Sequence, residues 1–153
     1  MYTNQHRDVF STINLGFRVS KASATVPAST TQDLFVIAGG LVYVTLLIGE
    51  VTTVIETQAC NLSVVHDATA GGDTTLASDL NISADAVGQL YFVEGDGTAL
   101  IGASGGALRG LVAGGMVLSE GEIHILTSAT NTGATKWDLW YFPLDEGASV
   151  VSA

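Results

Sequence analysis

The amino-acid sequence predicts an all-β, single-domain antiparallel β-sandwich with an extended N-terminal arm, and among sandwiches it favours a jelly roll. Short runs of apolar and β-branched residues are separated by turn residues roughly every 8 to 12 positions, a spacing typical of sandwiches and barrels. No stretch shows convincing helical periodicity. With 153 residues, the chain is long enough to bury an adequate core in one domain.

The charge of the chain divides near residue 21. Residues 1–21 contain three basic residues and one acidic residue, whereas residues 22–153 contain two basic residues and fourteen acidic ones. We therefore predict an N-terminal arm and edge strand over residues 1–21 and a β-sandwich domain over residues 22–153. The acidic body argues against direct nucleic-acid binding. The basic arm either docks on an acidic neighbour, including another copy of the chain, or has no binding role.

The first strand is predicted at residues 17–26, where neither face is strongly apolar, as is typical of an edge strand. Residues 34–55 are the most apolar stretch. Their β-branched side chains and two central glycines indicate two strands rather than a membrane span. We predict a hairpin with its turn at Gly39 and Gly40 and a bend at Gly49.

Later strands are predicted from the same alternation. The Asp96-Gly97 pair predicts a hairpin turn, and residues 119–121 predict another. Residues 67–86 are expected to be a turn followed by irregular chain with at most one short strand. No structure is assigned to the tail after Pro143. The predicted strands are residues 60–66, 87–94, 116–118, 122–127 and 134–142, with two short ones within residues 98–115.

Two strands have large apolar side chains on both faces, which predicts a homo-oligomer. The second strand of the hairpin would place Val42, Val44, Leu46 and Ile48 on one face and Leu41, Tyr43 and Leu47 on the other. The last strand would place Trp137 on one face and Trp140 on the other. A sugar-stacking platform and a core strand with one exposed aromatic remain alternatives. The predicted interface residues are Tyr43, Leu46, Ile48, Trp137, Trp140 and Phe142.

No catalytic, cofactor or metal site is predicted. Residues 102–106 fit the G-x-S-x-G pattern around Ser104, but the glycine-rich chain that follows does not favour the helix that a nucleophile elbow requires. His66, Asp67 and His124 are zinc-ligand types without a metal-binding spacing. With Cys60 as the only cysteine, no internal disulfide can form. The N-terminal residues lack the apolar region of a secretory signal.

Several segments together resemble small virion structural proteins of tailed bacteriophages. They are FRVSKA at residues 17–22, LFVIAGG at 34–40, GEVTT at 49–53, TSATNTG at 127–133 and PLDEGAS at 143–149. The resemblance implies a capsid decoration, or cement, protein on the capsid exterior. Such a protein would be a homotrimer assembled in the host cytoplasm, would need no cofactor or membrane, and would bind the major capsid protein.

The arm is the expected contact with the major capsid protein. A head-fibre or tail-associated domain that binds host glycans through exposed aromatic residues is the alternative function. The predicted capsid-contact residues are Arg7, Phe10, Phe17, Arg18 and Lys21.

Overall fold

Eleven β-strands run through the residues that a computed structural model describes, which are residues 14–95, 97–103 and 115–153. The all-β prediction is confirmed over this part of the chain. The strands are β1 (Phe17–Thr25), β2 (Thr31–Ala38), β3 (Val42–Thr53), β4 (Asn61–Ala68), β5 (Thr74–Asn81), β6 (Leu90–Phe92), β7 (Ile101–Ala103), β8 (Met116–Leu118), β9 (Gly121–Thr127), β10 (Ala134–Pro143) and β11 (Ser149–Ser152).

The described strands form two antiparallel sheets. The first sheet has the order β1-β10-β3-β6-β7, with β8 also paired to β3, and the second has the order β11-β2-β9-β4-β5. The chain crosses between the sheets from β1 to β2, from β2 to β3 and from β3 to β4. The four-strand sets β1-β10-β3-β6 and β2-β9-β4-β5 are those of a jelly roll. The predicted β-sandwich of jelly-roll type is therefore confirmed, and the structure supplies the strand order that the sequence did not predict.

The predicted hairpin at residues 34–55 is wrong, because β2 and β3 lie in different sheets. The turn itself is where we predicted it. Gly39 has φ +81° and Gly40 has φ +126°, a backbone region that favours glycine. This turn carries the chain across the sandwich. Both strands are apolar, and two strands on opposite sides of the core each bury an apolar face there.

The predicted hairpin at residues 119–121 is wrong for the same reason. β8 pairs with β3 in the first sheet, whereas β9 lies between β2 and β4 in the second. The hairpin predicted at Asp96-Gly97 differs from these two, since the flanking strands β6 and β7 do pair antiparallel. Asp96 itself lies outside the described residues. Local turn signals thus located the turns but not the partners of the flanking strands.

A bulge at Thr45 divides β3. The register with β10 leaves Thr45 without an opposing residue, and one extra residue reverses which side chains face the core. Val42 and Val44 are buried before the bulge, and Leu47 and Val51 are buried after it. The predicted face of Val42, Val44, Leu46 and Ile48 is therefore wrong, and the predicted bend at Gly49 lies at Thr45 instead.

The core lies between the two sheets, and Trp137 of β10 is its largest side chain. Trp137 is 1% exposed, and its ring stacks against the Tyr91 ring with 6.3 Å between centroids. A Cβ on Gly49 would lie 2.8 Å from the Trp137 ring. The indole Nε1 donates a hydrogen bond to Thr135 Oγ1 at 3.1 Å. A glycine in β3 therefore leaves the space that this indole fills.

Local sequence patterns did not predict two of the strands over their full ranges. β5 lies largely where irregular chain was predicted, and β11 lies in the tail. Both are edge strands, and pairing with β4 and β2, respectively, satisfies the backbone groups on their inner sides. β1 is continuous across residues 21 and 22, so residues 17–21 belong to the sandwich. No helix within the described ranges is long and apolar enough to cross a membrane.

Candidate interaction surface

Aromatic side chains distinguish the outward-facing side of the first sheet from that of the second. The second sheet presents exposed Asp33, Asp67 and Glu122 together with exposed Leu126 and Val151, and His124 is half-buried between neighbouring strands. The first sheet instead presents large apolar side chains that are only half-buried. We call these five residues the apolar surface: Tyr43, Leu46, Ile48, Trp140 and Phe142.

Register places the apolar surface in one continuous area. Leu46 lies opposite Trp140, and Tyr43 lies opposite Phe142. Directly opposed side chains on neighbouring antiparallel strands are in contact range. Val117 of β8 lies opposite Tyr43 and is 56% exposed, so it extends the area toward the sheet edge. Five of the six predicted interface residues are therefore neighbours on the same side of the first sheet.

The sixth predicted interface residue, Trp137, lies in the core. β10 alternates regularly here, so Trp137 faces inward while Trp140, three positions later, faces outward. Both orientations agree with the predicted alternation. The sequence did not show which of the two faces was the core.

Ion pairs border the apolar surface. Arg18 Nη2 lies 2.8 Å from Asp138 Oδ1, and Arg18 Nε donates to the same oxygen at 3.0 Å. Lys136 Nζ lies 2.8 Å from Glu50 Oε2 on the neighbouring strand. These pairs are largely exposed and contribute little to stability individually. The first sheet thus has an apolar area next to a charged one, which is the pattern of a protein interface with a polar rim.

Trp140 combines two features. The Arg18 guanidinium carbon lies 5.2 Å from the Trp140 ring centroid, within the range of a cation–π interaction. The indole Nε1 is shielded from solvent and has no hydrogen-bond acceptor among the described residues. A buried donor without a partner costs free energy.

The three residues before β1 also lie against the first sheet, and we call residues 14–16 the arm root. A Cβ on Gly16 would lie 2.1 Å from the Tyr141 carbonyl oxygen and 3.3 Å from Phe142 Cδ2. The Thr45 hydroxyl, at the bulge, donates to the Leu15 carbonyl. The arm root therefore crosses from β10 to β3 beside the apolar surface.

The predicted capsid-contact residues fall into two groups. Arg7 and Phe10 lie outside the described residues. The other three lie in β1 and contact their own chain. Phe17 is 52% exposed with its ring centroid 5.9 Å from that of Tyr141, Arg18 pairs with Asp138, and Lys21 Nζ donates to the Ala153 carbonyl.

The residues considered for catalysis and metal binding are separated. Ser104 lies outside the described residues. His66 is 4% exposed and faces the core, whereas His124 on the neighbouring strand faces outward. Asp67 is exposed. Within the described ranges, no group of three or more His, Cys, Asp or Glu side chains is placed to hold a metal ion.

Asp85 and Tyr91 form a buried pair. The Tyr91 hydroxyl donates to Asp85 Oδ2 at 2.7 Å. Burial raises the pKa of Asp85, and this hydrogen bond opposes the rise. Burial and the neighbouring carboxyl both raise the pKa of Tyr91. Because the Asp85 carbonyl also accepts from the Ile55 N–H at 3.0 Å, the pair anchors the loop before β6 to β3.

His66 provides a prediction about acid stability. Burial lowers its pKa below 6.5, while the Ser119 carbonyl at 3.1 Å and Asp67 oppose this shift and His124 adds to it. Below about pH 6.5, the unfolded chain binds a proton that the folded chain does not, so stability should fall by at most about 1.4 kcal/mol per pH unit. At higher pH, this contribution to stability is fully present.

Urea unfolding of the wild type and a His66→Gln variant between pH 5 and 8 would test the prediction. Glutamine keeps a donor for the Ser119 carbonyl but does not titrate. The difference in unfolding free energy between the two proteins should change below about pH 6.5 and stay constant above it. A constant difference throughout would assign the acid sensitivity to other groups.

Sequence reasoning missed the arm root and the contacts of Arg18. The arm root had one signal, since Gly16 directly precedes a strand, but glycine there is equally consistent with a turn. Arg18 and Asp138 are 120 residues apart and meet only because β1 pairs with β10. No local pattern indicates that pairing.

Comparisons with known proteins do not assign this chain to a family. No protein-family model and no curated protein matches this chain. Among solved structures, a chain in the structure of infectious bursal disease virus Gx strain aligns with 88% of this chain at 12% sequence identity and a TM-score of 0.24. This chain spans 33% of the length of that viral chain. Because that TM-score is too low to establish a common fold, the assignment as a jelly roll rests on the strand order.

Proposed function

We propose that this chain is a virion structural protein of a tailed bacteriophage and acts as a capsid decoration protein that stabilises the head shell. The observation that carries the proposal is the apolar surface on the outward side of the first sheet. Five large side chains, three of them aromatic, are half-buried there, whereas the second sheet presents acidic residues together with exposed Leu126 and Val151. A contiguous apolar area rimmed by ion pairs is typical of a protein interaction site.

Self-association is the proposed role of this surface. A homo-oligomer buries a surface of this kind on every copy, and closed cyclic symmetry limits its size. The trimer follows from the resemblance to decoration proteins. The net charge of −10 disfavours direct contact with the packaged nucleic acid, so the proposed location is the capsid exterior, after assembly in the host cytoplasm.

The major capsid protein is the proposed second partner. We assign this contact to the N-terminal arm, which includes Arg7 and Phe10. The arm joins the first sheet at the arm root. A rigid β body with an extended segment suits a protein that connects neighbouring shell subunits. The arm and the apolar surface then have separate partners that can be tested separately.

A shell-binding assay tests the proposed function. Full-length chain is added to phage shells that lack it, and we measure bound copies per shell and the temperature at which the shells disrupt. Wild-type chain should bind in a fixed ratio to the major capsid protein and raise that temperature. A Leu46→Asp variant should self-associate at least about tenfold more weakly, because it would bury an unpaired carboxylate in the interface.

Val151→Asp is the matched control, since Val151 is 55% exposed and lies on the second sheet. It should bind and self-associate as the wild type does. Shells that bind no wild-type chain, or bind it without a fixed ratio, would contradict a decoration role.

Glycan binding is the second candidate, and the exposed part of Trp140 is the observation that favours it. Arg18 already lies over the Trp140 ring, which reduces the aromatic area available for stacking a sugar. A glycan array should therefore give no signal that depends on Trp140. Binding by the wild type that a Trp140→Ala variant loses would favour the glycan-binding function instead.

A further inference from the structure

A cleft opens at the end of the sandwich where the β2–β3, β4–β5 and β8–β9 connections meet, and we call it the end cleft. Its volume is about 200 Å³, and its lining is mainly apolar. Among the lining residues, only Glu120 is charged. None of them belongs to the apolar surface, so the end cleft is a separate feature. The lining residues are Gly40, Leu41, Thr69, Ala70, Ser119 and Glu120.

Hydrogen bonds between the connections hold the walls of the end cleft in place. Glu120 Oε1 accepts from the Gly39 N–H at 2.8 Å, and the Glu120 carbonyl accepts from the Thr69 N–H at 2.9 Å. Asp145 Oδ2 accepts from the Leu41 N–H at 2.7 Å. The two carboxylates therefore fix the turn between β2 and β3, which forms one wall. A cleft whose walls are already ordered loses little conformational entropy when it binds.

The volume of the end cleft limits what it can bind. Pockets for drug-sized ligands have volumes of roughly 300–1,000 Å³, whereas a cavity of about 150 Å³ can bind benzene. A cleft of about 200 Å³ therefore takes one side chain or a group of similar size. Its lining residues include no aromatic ring that could stack against a sugar.

The carboxylate of Glu120 favours a cationic side chain in the end cleft. An apolar side chain would desolvate this carboxylate without pairing with it, and an anionic group would be repelled. A carboxylate has about four lone-pair sites, so the contact with the Gly39 N–H leaves acceptor capacity. A lysine or arginine can lay its methylene groups along Leu41 and Ala70 and pair with Glu120.

The described part of this chain is a poor source of that cation. Its lysine and arginine residues are Arg18, Lys21 and Lys136, and each already contacts an acceptor of its own copy, namely Asp138, the Ala153 carbonyl and Glu50, respectively. A second copy that approached with the same end would bring carboxylates against carboxylates, which are repulsive. Charge complementarity therefore favours a different protein.

We propose that the end cleft binds a lysine or arginine side chain from a basic segment of a partner protein. The aliphatic part of that side chain packs against Leu41 and Ala70, and its charged group pairs with Glu120. The walls fixed by Glu120 and Asp145 are ready to receive it. This inference concerns a different surface from the one that carries the proposed function and does not depend on it.

Two blocked tripeptides test the proposal on the full-length chain. One is acetyl-alanyl-lysyl-alanine amide, and the other has norleucine in place of lysine, which keeps the aliphatic stem and removes the charge. Amide chemical shifts of the isotope-labelled chain would be followed by nuclear magnetic resonance. The lysine peptide should cause saturable shifts at Leu41, Thr69 and Ala70. The norleucine peptide should bind at least about tenfold more weakly.

Three variants separate charge from space in the end cleft. Glu120→Gln keeps an oxygen acceptor for the Gly39 N–H but removes the charge, so it should bind the lysine peptide at least about tenfold more weakly. Glu122→Gln is the matched control, because it removes the same charge from an exposed side chain of β9 outside the lining. It should bind as the wild type does. Ala70→Trp should fill the end cleft and abolish binding of both peptides.

Three results would overturn the inference. Without saturable shifts at the lining residues, the end cleft does not bind this side chain. Equal affinities for the two peptides would mean that charge plays no part. Equal losses in Glu120→Gln and Glu122→Gln would mean general attraction to an acidic protein. The shell-binding assay of the wild type is a separate measurement, so the proposed function can stand or fail whatever the peptides show.

Discussion

Replacing Trp137 by alanine is expected to lower the free energy of unfolding by about 3–5 kcal/mol, a large part of the roughly 5–15 kcal/mol typical of a single domain. Trp137 is 1% exposed, stacks on Tyr91 and fills the space left by Gly49. Alanine would leave a cavity between the sheets, and the paired strands on either side limit how far the core can collapse. It would also leave Thr135 Oγ1 without its indole donor.

Urea unfolding followed by far-ultraviolet circular dichroism measures this loss without relying on the fluorophore that is removed. Trp140→Ala is the matched control, because it makes the same chemical change three residues away in the same strand. It should cost less than half as much stability, since Trp140 is only half-buried. Equal losses would mean that Trp140 is part of the core in solution. The two variants thus separate the inward face of β10 from its outward face.

Replacing Gly16 by alanine is expected to detach the arm root and weaken self-association by about tenfold or more. Gly16 has φ +92°, where a side chain costs roughly 1–2 kcal/mol. Its added Cβ would also lie 2.1 Å from the Tyr141 carbonyl oxygen, which is backbone in a paired strand. Residues 14–16 would have to move off the sheet, and they would no longer contact Phe142 at the border of the apolar surface.

Hydrogen exchange and sedimentation velocity test this prediction together. The urea midpoint should change little, because all eleven strands begin after Gly16. Exchange should increase around residues 14–17, and self-association should weaken. Gly72→Ala is the control, since a Cβ there would have no neighbour within 4 Å. Unchanged association in a variant whose arm root has moved would show that the arm root does not contribute to self-association.

The sequence by itself determined the class of fold and the position of most strands. Alternation identified β4 and β9, whose Leu62, Val64, Ile123 and Ile125 lie buried on the core side. The turn at Gly39 and Gly40 was also predictable, because its positive φ angles favour glycine. Such features depend on residues close in sequence, and local patterns record them well.

The tertiary structure alone decided which strands pair and which apolar face is the core. β2 and β3 follow each other across one turn but lie in opposite sheets, because turn residues fix a reversal and not a hydrogen-bonded partner. Trp137 and Trp140 look equivalent in the sequence, and only the packing of the second sheet against one face of β10 puts the first inside. The bulge at Thr45 then decides which β3 residues join Trp140, since one extra residue reverses the faces of a strand. The apolar surface therefore depends on pairings between residues far apart in the chain.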